Sequence, residues 1–405
     1  MNTQLTQEST AMPRRWDIDW LRVLATLAVF LFHCARFLND EGWHIKNNQL
    51  DLGMTVFVNI VSQWLMPLFF ILSGASAYYA LNLRSGGVYI RERVTRLLLP
   101  LIFGIFVLIP PQVYVESVSG QSKTVPPFAG SFWEFYPHYF DGLYAFGGYF
   151  AWMGLHLWYL LVLFIFSLLT LPLFIFLKSA TGQRLIAGLA RGLTQPGLIF
   201  LLPAPLAMLE AMLNPEGLGI RAFGGWNLLI YLGWLIVGYI LVAEPRFQQA
   251  IRRHFLAAII LAGLTTTGGL MVYQAGIPAP YGSTNYALLM TLRVFNSWFW
   301  LLAIFGLGQR YFNFKNSFLA YAGEASLPFY MLHQTVIVVI GFFIAEWPLG
   351  VLPKYAILAV TSFVIIMALY ELLIRRLNLL RFLFGLKSRQ SDRSAVPAQL
   401  EKQAV

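Results

Sequence analysis

Arg22 and His33 stand eleven residues apart inside the first apolar stretch of the chain. Ionisable groups are costly in hydrocarbon, so a cation and an imidazole in one apolar segment are functional candidates by default. At about 100° and 1.5 Å per helical residue, the two point within about 20° of each other and lie roughly 16 Å apart along the axis. Asp19, Arg22, Thr26 and His33 follow at spacings of three, four and seven, which places them along one helix face. An imidazole titrates near neutrality and suits proton transfer; a guanidinium stays charged and suits an anion or a carboxylate. The bland alternative is an interfacial Asp19–Arg22 ion pair with His33 bonded to a neighbouring helix. The shared face favours chemistry.

Other polar groups fall at a depth similar to that of His33. His156 opens the fourth apolar stretch and is followed by Trp158 and Tyr159, whose rings suit interfacial anchoring. Glu210 lies near the outer end of the fifth, and Arg293 with Asn296 lies in the outer half of the eighth. A Glu210–Arg293 structural pair is as good an account of those two as a binding role. His333 is expected about two turns into the ninth stretch, preceded by Glu324, Ser326 and Tyr330, where core packing competes with chemistry. Glu371 and Arg375 are explained by an i,i+4 surface pair. Arg93 and Arg96 precede the third stretch; three residues apart, they form a fork suited to phosphate, although such clusters also serve orientation and anionic-lipid contact. The single cysteine, Cys34, excludes an intramolecular disulfide and a cysteine-cluster metal site, and no metal site is expected.

These residues must be held by a membrane-embedded helical scaffold. Hydrophobic residues make up 58% of the chain and charged residues 11%, where an ordinary soluble domain carries about 25% charged. Apolar spans are expected at 20–38, 54–82, 97–116, 155–177, 197–213, 226–243, 255–275, 287–307, 326–345 and 355–374, an all-α integral membrane protein of about ten transmembrane helices. Basic residues concentrate in alternate connections: Arg14 and Arg15; Arg84, Arg91, Arg93 and Arg96; Lys178, Arg184 and Arg191; Arg246, Arg252 and Arg253; Arg310 and Lys315; and the C-terminal tail. The intervening connections hold only Lys46, Lys123, Arg221 and Lys354. Both termini are therefore expected in the cytoplasm. This dispersal of the +10 net charge over loops argues against a nucleic-acid partner.

The expected organisation is a cytoplasmic segment (1–16), a membrane domain (17–386) with an outer loop cap (117–154) rich in Gly, Pro and aromatics, and a polar, disordered cytoplasmic tail (387–405). No segment reads as a cleaved signal, and no internal repeat is visible, which disfavours a transporter built from duplicated halves.

Four stretches resemble the acyltransferase 3 family of membrane acyltransferases: Asp17-Ile-Asp-Trp-Leu-Arg22 with His33 after ten further residues; Phe69-Phe-Ile-Leu-Ser-Gly74; Arg93-Val-Thr-Arg96 leading to Pro100; and Ser326-Leu-Pro-Phe-Tyr-Met-Leu-His333. His156-Leu-Trp-Tyr-Leu160, Tyr370-Glu-Leu and Leu380-Arg-Phe-Leu-Phe384 look like the branch that succinylates periplasmic glucans. The resemblance implies a ten-helix domain that passes an acyl group from cytoplasmic acyl-CoA to a carbohydrate across the membrane. It makes His33 the catalytic histidine, Arg22 its partner, and Arg93 and Arg96 part of the donor surface. Many members carry an acidic residue shortly before the Phe-Phe-x-x-Ser-Gly stretch; here Trp64-Leu-Met-Pro67 stands there, so Asp51 or Glu210 would serve only if the fold brings one close.

The expected function is a bacterial inner-membrane O-acyltransferase that moves acetyl or succinyl from acyl-CoA to a sugar or glycan, with membrane lipid around it and no tightly bound cofactor. His33 acts as general base, and Asp19, His156, Trp158, Tyr159, Glu210, Arg293 and His333 are candidate substrate contacts. The alternative is a transporter or flippase of a glycan precursor whose polar path Arg22 and His33 would line.

Overall fold

The computed structural model describes residues 14–122 and 124–388. Most of the expected N-terminal segment and all of the polar tail beyond 388 lie outside the described residues. In chain order the main helices are α1 (Trp16–Arg36), α2 (Leu52–Leu83), α3 (Gly86–Ser119), α4 (Leu155–Leu169), α5 (Leu171–Lys178), α6 (Ala180–Leu193), α7 (Leu198–Met212), α8 (Leu228–Ala243), α9 (Pro245–Gln274), α10 (Thr284–Tyr311), α11 (Ser317–Ile344) and α12 (Val351–Ile374). Among the described residues no strand forms; only isolated bridges such as Leu143↔Phe150 and Phe223↔Trp226 occur. Seven helices are long and apolar enough to cross a membrane, and the count reaches nine if the bent pairs α4/α5 and α6/α7 each make one crossing.

Local chemistry sets where these helices start and break. Asp17 and Asp19 sit in the first turn of α1 and complement its dipole. Asp51, Asn227, Ser283 and Asn316 cap α2, α8, α10 and α11 by accepting from a backbone N–H of the first turn. Pro172, at the start of α5, cannot continue the ladder of α4, and the two helices meet at 50°. Pro196 and the left-handed Gly197 (φ +79°) turn α6 by 119° into α7.

Two spans depart from the sequence expectation. The stretch expected as one continuous helix at 197–213 folds as a 3₁₀ turn, Leu198–Leu201, and a short helix, Ala204–Met212, that passes as a candidate span only together with the bent-off α6. The ninth expected span begins at Ser317, well before 326, because Asn316 supplies a cap there. His333 is therefore not two turns from that helix's start but sixteen residues in, about 24 Å along the axis.

Helix α3 holds its prolines by changing its own geometry. Val94–Leu98 and Gly104–Leu108 are π-helical, each widened turn preceding a proline, at Pro100 and Pro110. A proline leaves carbonyls without a donor one turn back. The carbonyls of Ile105 and Phe106 accept instead from the hydroxyls of Tyr139 and Tyr136, both in the outer loop. Thr335 of α11 donates likewise to the Leu108 carbonyl. The 117–154 segment thus packs as a cap, built on a short helix, Phe132–His138, whose Ser131 and Glu134 form a reciprocal capping box.

Helices α2 and α8 cross with their backbones in close approach. A Cβ on Gly74 would lie 1.9 Å from the Leu235 carbonyl oxygen, and one on Gly238 would lie 2.1 Å from that of Ile71. Only glycine allows the two backbones this close, as in other small-residue crossings in membranes. On the outside of the bundle, Leu264, Met271, Phe343, Leu352 and Val360 are exposed, as befits helices solvated by lipid.

Candidate active site

The end of α1 that carries His33 meets the middle of α11 and the start of α4. His33 Nδ1 lies 2.9 Å from the Val29 carbonyl oxygen and 3.0 Å from His333 Nε2. His333 Nδ1 in turn faces the Tyr330 carbonyl oxygen. A carbonyl only accepts, so both Nδ1 atoms carry the proton. A neutral His333 then offers the lone pair of Nε2, and His33 Nδ1–H donates to it. With both rings neutral, one arrangement satisfies every partner, and it leaves His33 Nε2 unprotonated and, among the described residues, without a hydrogen bond. His333 is fully buried and His33 half-buried, so the free nitrogen belongs to the more accessible ring.

His156 completes a group of three imidazoles. Its Nε2 donates to the Met331 carbonyl at 3.1 Å, its ring centroid lies 5.1 Å from that of His333, and its Nδ1 is buried without a partner. Tyr330 fixes the same junction by donating from its hydroxyl to the His156 carbonyl. Among the described residues, no group of His, Cys, Asp or Glu is arranged to hold a metal ion.

Arg22 does not touch these histidines. It occupies the opposite end of α1, bonded to Asp19 at 3.2 Å and to Ser76 Oγ at 2.8 Å. Asp19 also receives Arg14, and a cavity of about 240 Å³ opens beside Asp19, Arg22, Lys315 and Asn316. Arg96 lies within electrostatic range of Arg22, Arg84 and Arg93. The turn Val94–Leu98 that carries Arg96 is π-helical, and Arg93 immediately precedes it. Arg93 lies over the Tyr89 ring at 4.6 Å with its Nε buried and unpartnered, while Arg96 is exposed.

A line of hydroxyls connects the two ends. Tyr159, within electrostatic range of Arg22 and Arg93, shares a 2.7 Å hydrogen bond with Ser73 Oγ. Its ring lies 6.2 Å from that of Tyr330, which lies 5.6 Å from His333. The Ser-Gly stretch explains itself here. Gly74 seats α2 against α8, and Ser73 and Ser76 on either side present hydroxyls to Tyr159 and Arg22.

The remaining candidates stand apart. Glu210 is fully buried and binds Arg221 at 2.6 Å and Arg293 at 3.8 Å, with Oε2 unpartnered. Arg293 lies over Trp226 and, with Asn296, lines a separate cavity of about 330 Å³ between α2, α9 and α10. Trp158 is packed among Phe70, Phe223 and Tyr231. Asp51 is spent as a helix cap. Neither Asp51 nor Glu210 is hydrogen-bonded to a histidine of the cluster.

Glu116, at the end of α3, is linked to the neighbourhood of the site through a further imidazole, His44. Its Oε2 accepts from His44 Nδ1 at 2.7 Å, and Tyr144 donates to both oxygens at 3.0 and 3.1 Å. His44 Nε2 then accepts from the amide of Gln334, the neighbour of His333, at 3.0 Å. Trp43 lies between the rings of His33 and His44, at 6.2 and 5.5 Å. The sequence signal for this group is modest: Glu116 is an ionisable residue at the limit of an apolar span, and Trp43-His44 lies in the short connection after α1.

The family described as "Acyltransferase domain", the acyltransferase 3 family, matches residues 15–371. The glucans biosynthesis protein C of Shigella dysenteriae serotype 1 (strain Sd197) is 24% identical over 402 residues, covering 94% of this chain and 97% of that protein. The protein of the same name from Salmonella heidelberg (strain SL476) is 23% identical over 401 residues, covering 96% and 99%. No solved structure matches. With a domain match over nearly its whole length and a buried imidazole pair at the junction of α1 and α11, the chain belongs to the acyltransferase 3 family and is a membrane acyltransferase.

Proposed function

We propose that the chain moves an acetyl or succinyl group from acyl-CoA in the cytoplasm to a hydroxyl of a sugar or glycan on the outer side of a bacterial inner membrane, with His33 as general base. The single observation that carries this reading is the run of hydrogen bonds from the Tyr330 carbonyl through His333 to His33, which leaves His33 Nε2 free to take a proton. In this reading the bundle makes ten crossings, α7 and α8 included, and both termini face the cytoplasm.

The chemistry balances without a further reactant. His33 Nε2 removes the acceptor's hydroxyl proton as that oxygen attacks the thioester carbonyl. The C–S bond breaks, and the imidazolium returns its proton to the departing thiolate, giving the ester and free CoA. His333 accepts from His33 Nδ1 throughout, so it holds the ring and strengthens the base as a carboxylate does in a catalytic triad. Arg22, Arg93 and Arg96 supply positive charge for the donor's phosphates. The unpartnered Arg93 Nε favours such a ligand, since a buried cationic N–H is costly to leave unbonded. Ser73, Tyr159 and Tyr330 line the interval between that rim and His33. The relatives' names concern glucan biosynthesis, which supports a glucan as acceptor.

The test is transfer by the purified chain reconstituted in vesicles, with labelled acetyl-CoA or succinyl-CoA on one side and glucose oligomers on the other. Ester formation that requires the donor on the Arg22 face and the acceptor on the His33 face supports the proposal. Ester formed only when both substrates share one side would overturn its sidedness, and none from any donor would overturn the reaction.

A further inference from the structure

The loop between α1 and α2 is pinned more firmly than a connection requires. Backbone bonds join Asn47 N to the Phe37 carbonyl and Asp51 N to the Leu38 carbonyl. Lys46 donates to the Arg36 carbonyl and to Asn39, and Arg36 pairs with Glu41. Lys354, fully buried at the start of α12, donates to Asn47, Asn48 and the Ala345 carbonyl. What this loop carries to the histidine site is Trp43 and His44.

From the other side, Glu116 ties the outer cap to the same place. Besides His44 and Tyr144, it accepts from Ser122 and Thr124. With so many donors on two oxygens, the carboxylate is spent as a hub and orients its neighbours. Glu116 holds the proton of a neutral His44 on Nδ1, so that its Nε2 takes the Gln334 amide nitrogen, and Gln334 Oε1 is left without a hydrogen bond among the described residues. The half-buried Trp43 indole therefore stands in a rigid frame, its ring 6.2 Å from that of His33 and 5.5 Å from that of His44, whose Nε2 holds the Gln334 amide.

A pyranose has an apolar C–H face and a rim of hydroxyls, so it seats on an aromatic ring and hydrogen-bonds at its edge. We propose that Trp43, framed by His33 and the Glu116-held His44, is the stacking platform for a sugar of the acceptor, with Gln334 Oε1 accepting from one of its hydroxyls. Another hydroxyl then faces His33 Nε2. This inference rests on the glycan-acyltransferase reading and adds the residues that bind the acceptor. Pre-organisation gives it physical sense, because a frame rigid before binding loses little entropy when the sugar arrives.

The experiment is equilibrium binding of a glucose oligomer, and separately of acetyl-CoA, to the full chain in detergent, for wild type, Trp43→Ala and Trp43→Phe. Trp43→Ala is expected to raise the Kd for the oligomer about tenfold or more, as expected for a central aromatic anchor. Trp43→Phe should restore part of it, and both should bind acetyl-CoA within about twofold of wild type. The subsite is overturned by an unchanged oligomer affinity in Trp43→Ala, by no binding to wild type at millimolar oligomer, or by joint loss of both ligands. Oligomer binding without any acyl transfer to it would instead overturn the proposed reaction and leave the subsite standing.

Discussion

The two ends of α1 solve opposite problems. At the histidine end His333, His156, His44 and Glu116 are engaged with defined partners, and the group that matters is His33 Nε2, the unbonded nitrogen of the more accessible ring. At the arginine end the charges are more loosely held. The Arg22 side chain is 40% exposed, Arg96 is exposed, Arg93 Nε has no partner among the described residues, and a cavity opens beside Arg22, lined also by Arg14 and Lys315. A base acts through a fixed tautomer and orientation, whereas a rim that receives a polyanion needs charge more than order. The ends should therefore respond differently to the same kind of truncation.

Apart from His33 itself, the largest effect is expected at His333. His333→Phe keeps a ring in the buried site but removes the acceptor for His33 Nδ1–H, and transfer should fall about a hundredfold with donor affinity unchanged. Steady-state kinetics with a donor-binding titration checks the separation. Weaker donor binding in this variant would break the division between the two ends.

Arg93→Ala/Arg96→Ala should show the reverse pattern. Donor Kd rises about tenfold or more, the salt dependence of binding flattens, and the rate at saturating donor stays close to wild type. Isothermal titration at two ionic strengths reads both. A smaller effect belongs to the hydroxyls between the ends: Ser73→Ala leaves Tyr159 with only its longer 3.3 Å bond to the Phe69 carbonyl and should lower the transfer rate by several-fold.

The smallest effect concerns pH. Burial, with Arg36 nearby, holds the Lys46 ammonium down to about 7. In the unfolded chain it titrates at about 10.4. The unfolded state binds more protons between these values, so this residue's destabilising contribution is full below about pH 7 and is relieved as pH rises toward about 10. Thermal unfolding of Lys46→Met should lack this rise; an identical pH profile in wild type and variant would place the titration elsewhere.

The sequence carried the scaffold further than the site. Composition and charge alternation led to a helical membrane bundle, and residues 15–371 match an acyltransferase domain. Periodicity placed Arg22 and His33 at opposite ends of one helix face. It did not reveal that His33 and His333 meet, because the pairing of α1 with α11 is a fact of tertiary packing across 300 residues. The start of α11 was misjudged since polar Glu324 and Ser326 lowered the local hydropathy, while the Asn316 cap acts through a hydrogen bond that hydropathy does not register. Glu116 and His44 were passed over because each alone is an ordinary interfacial residue; only the loop geometry joins them.

The most direct test of the central claim is His33→Ala, with acyl transfer and acetyl-CoA affinity measured on the same purified sample. Loss of transfer by about a hundredfold or more, with donor Kd within about twofold of wild type, is the predicted result. Transfer that survives within tenfold of wild type, or donor binding lost together with it, would contradict the account of His33 as a free base held by His333.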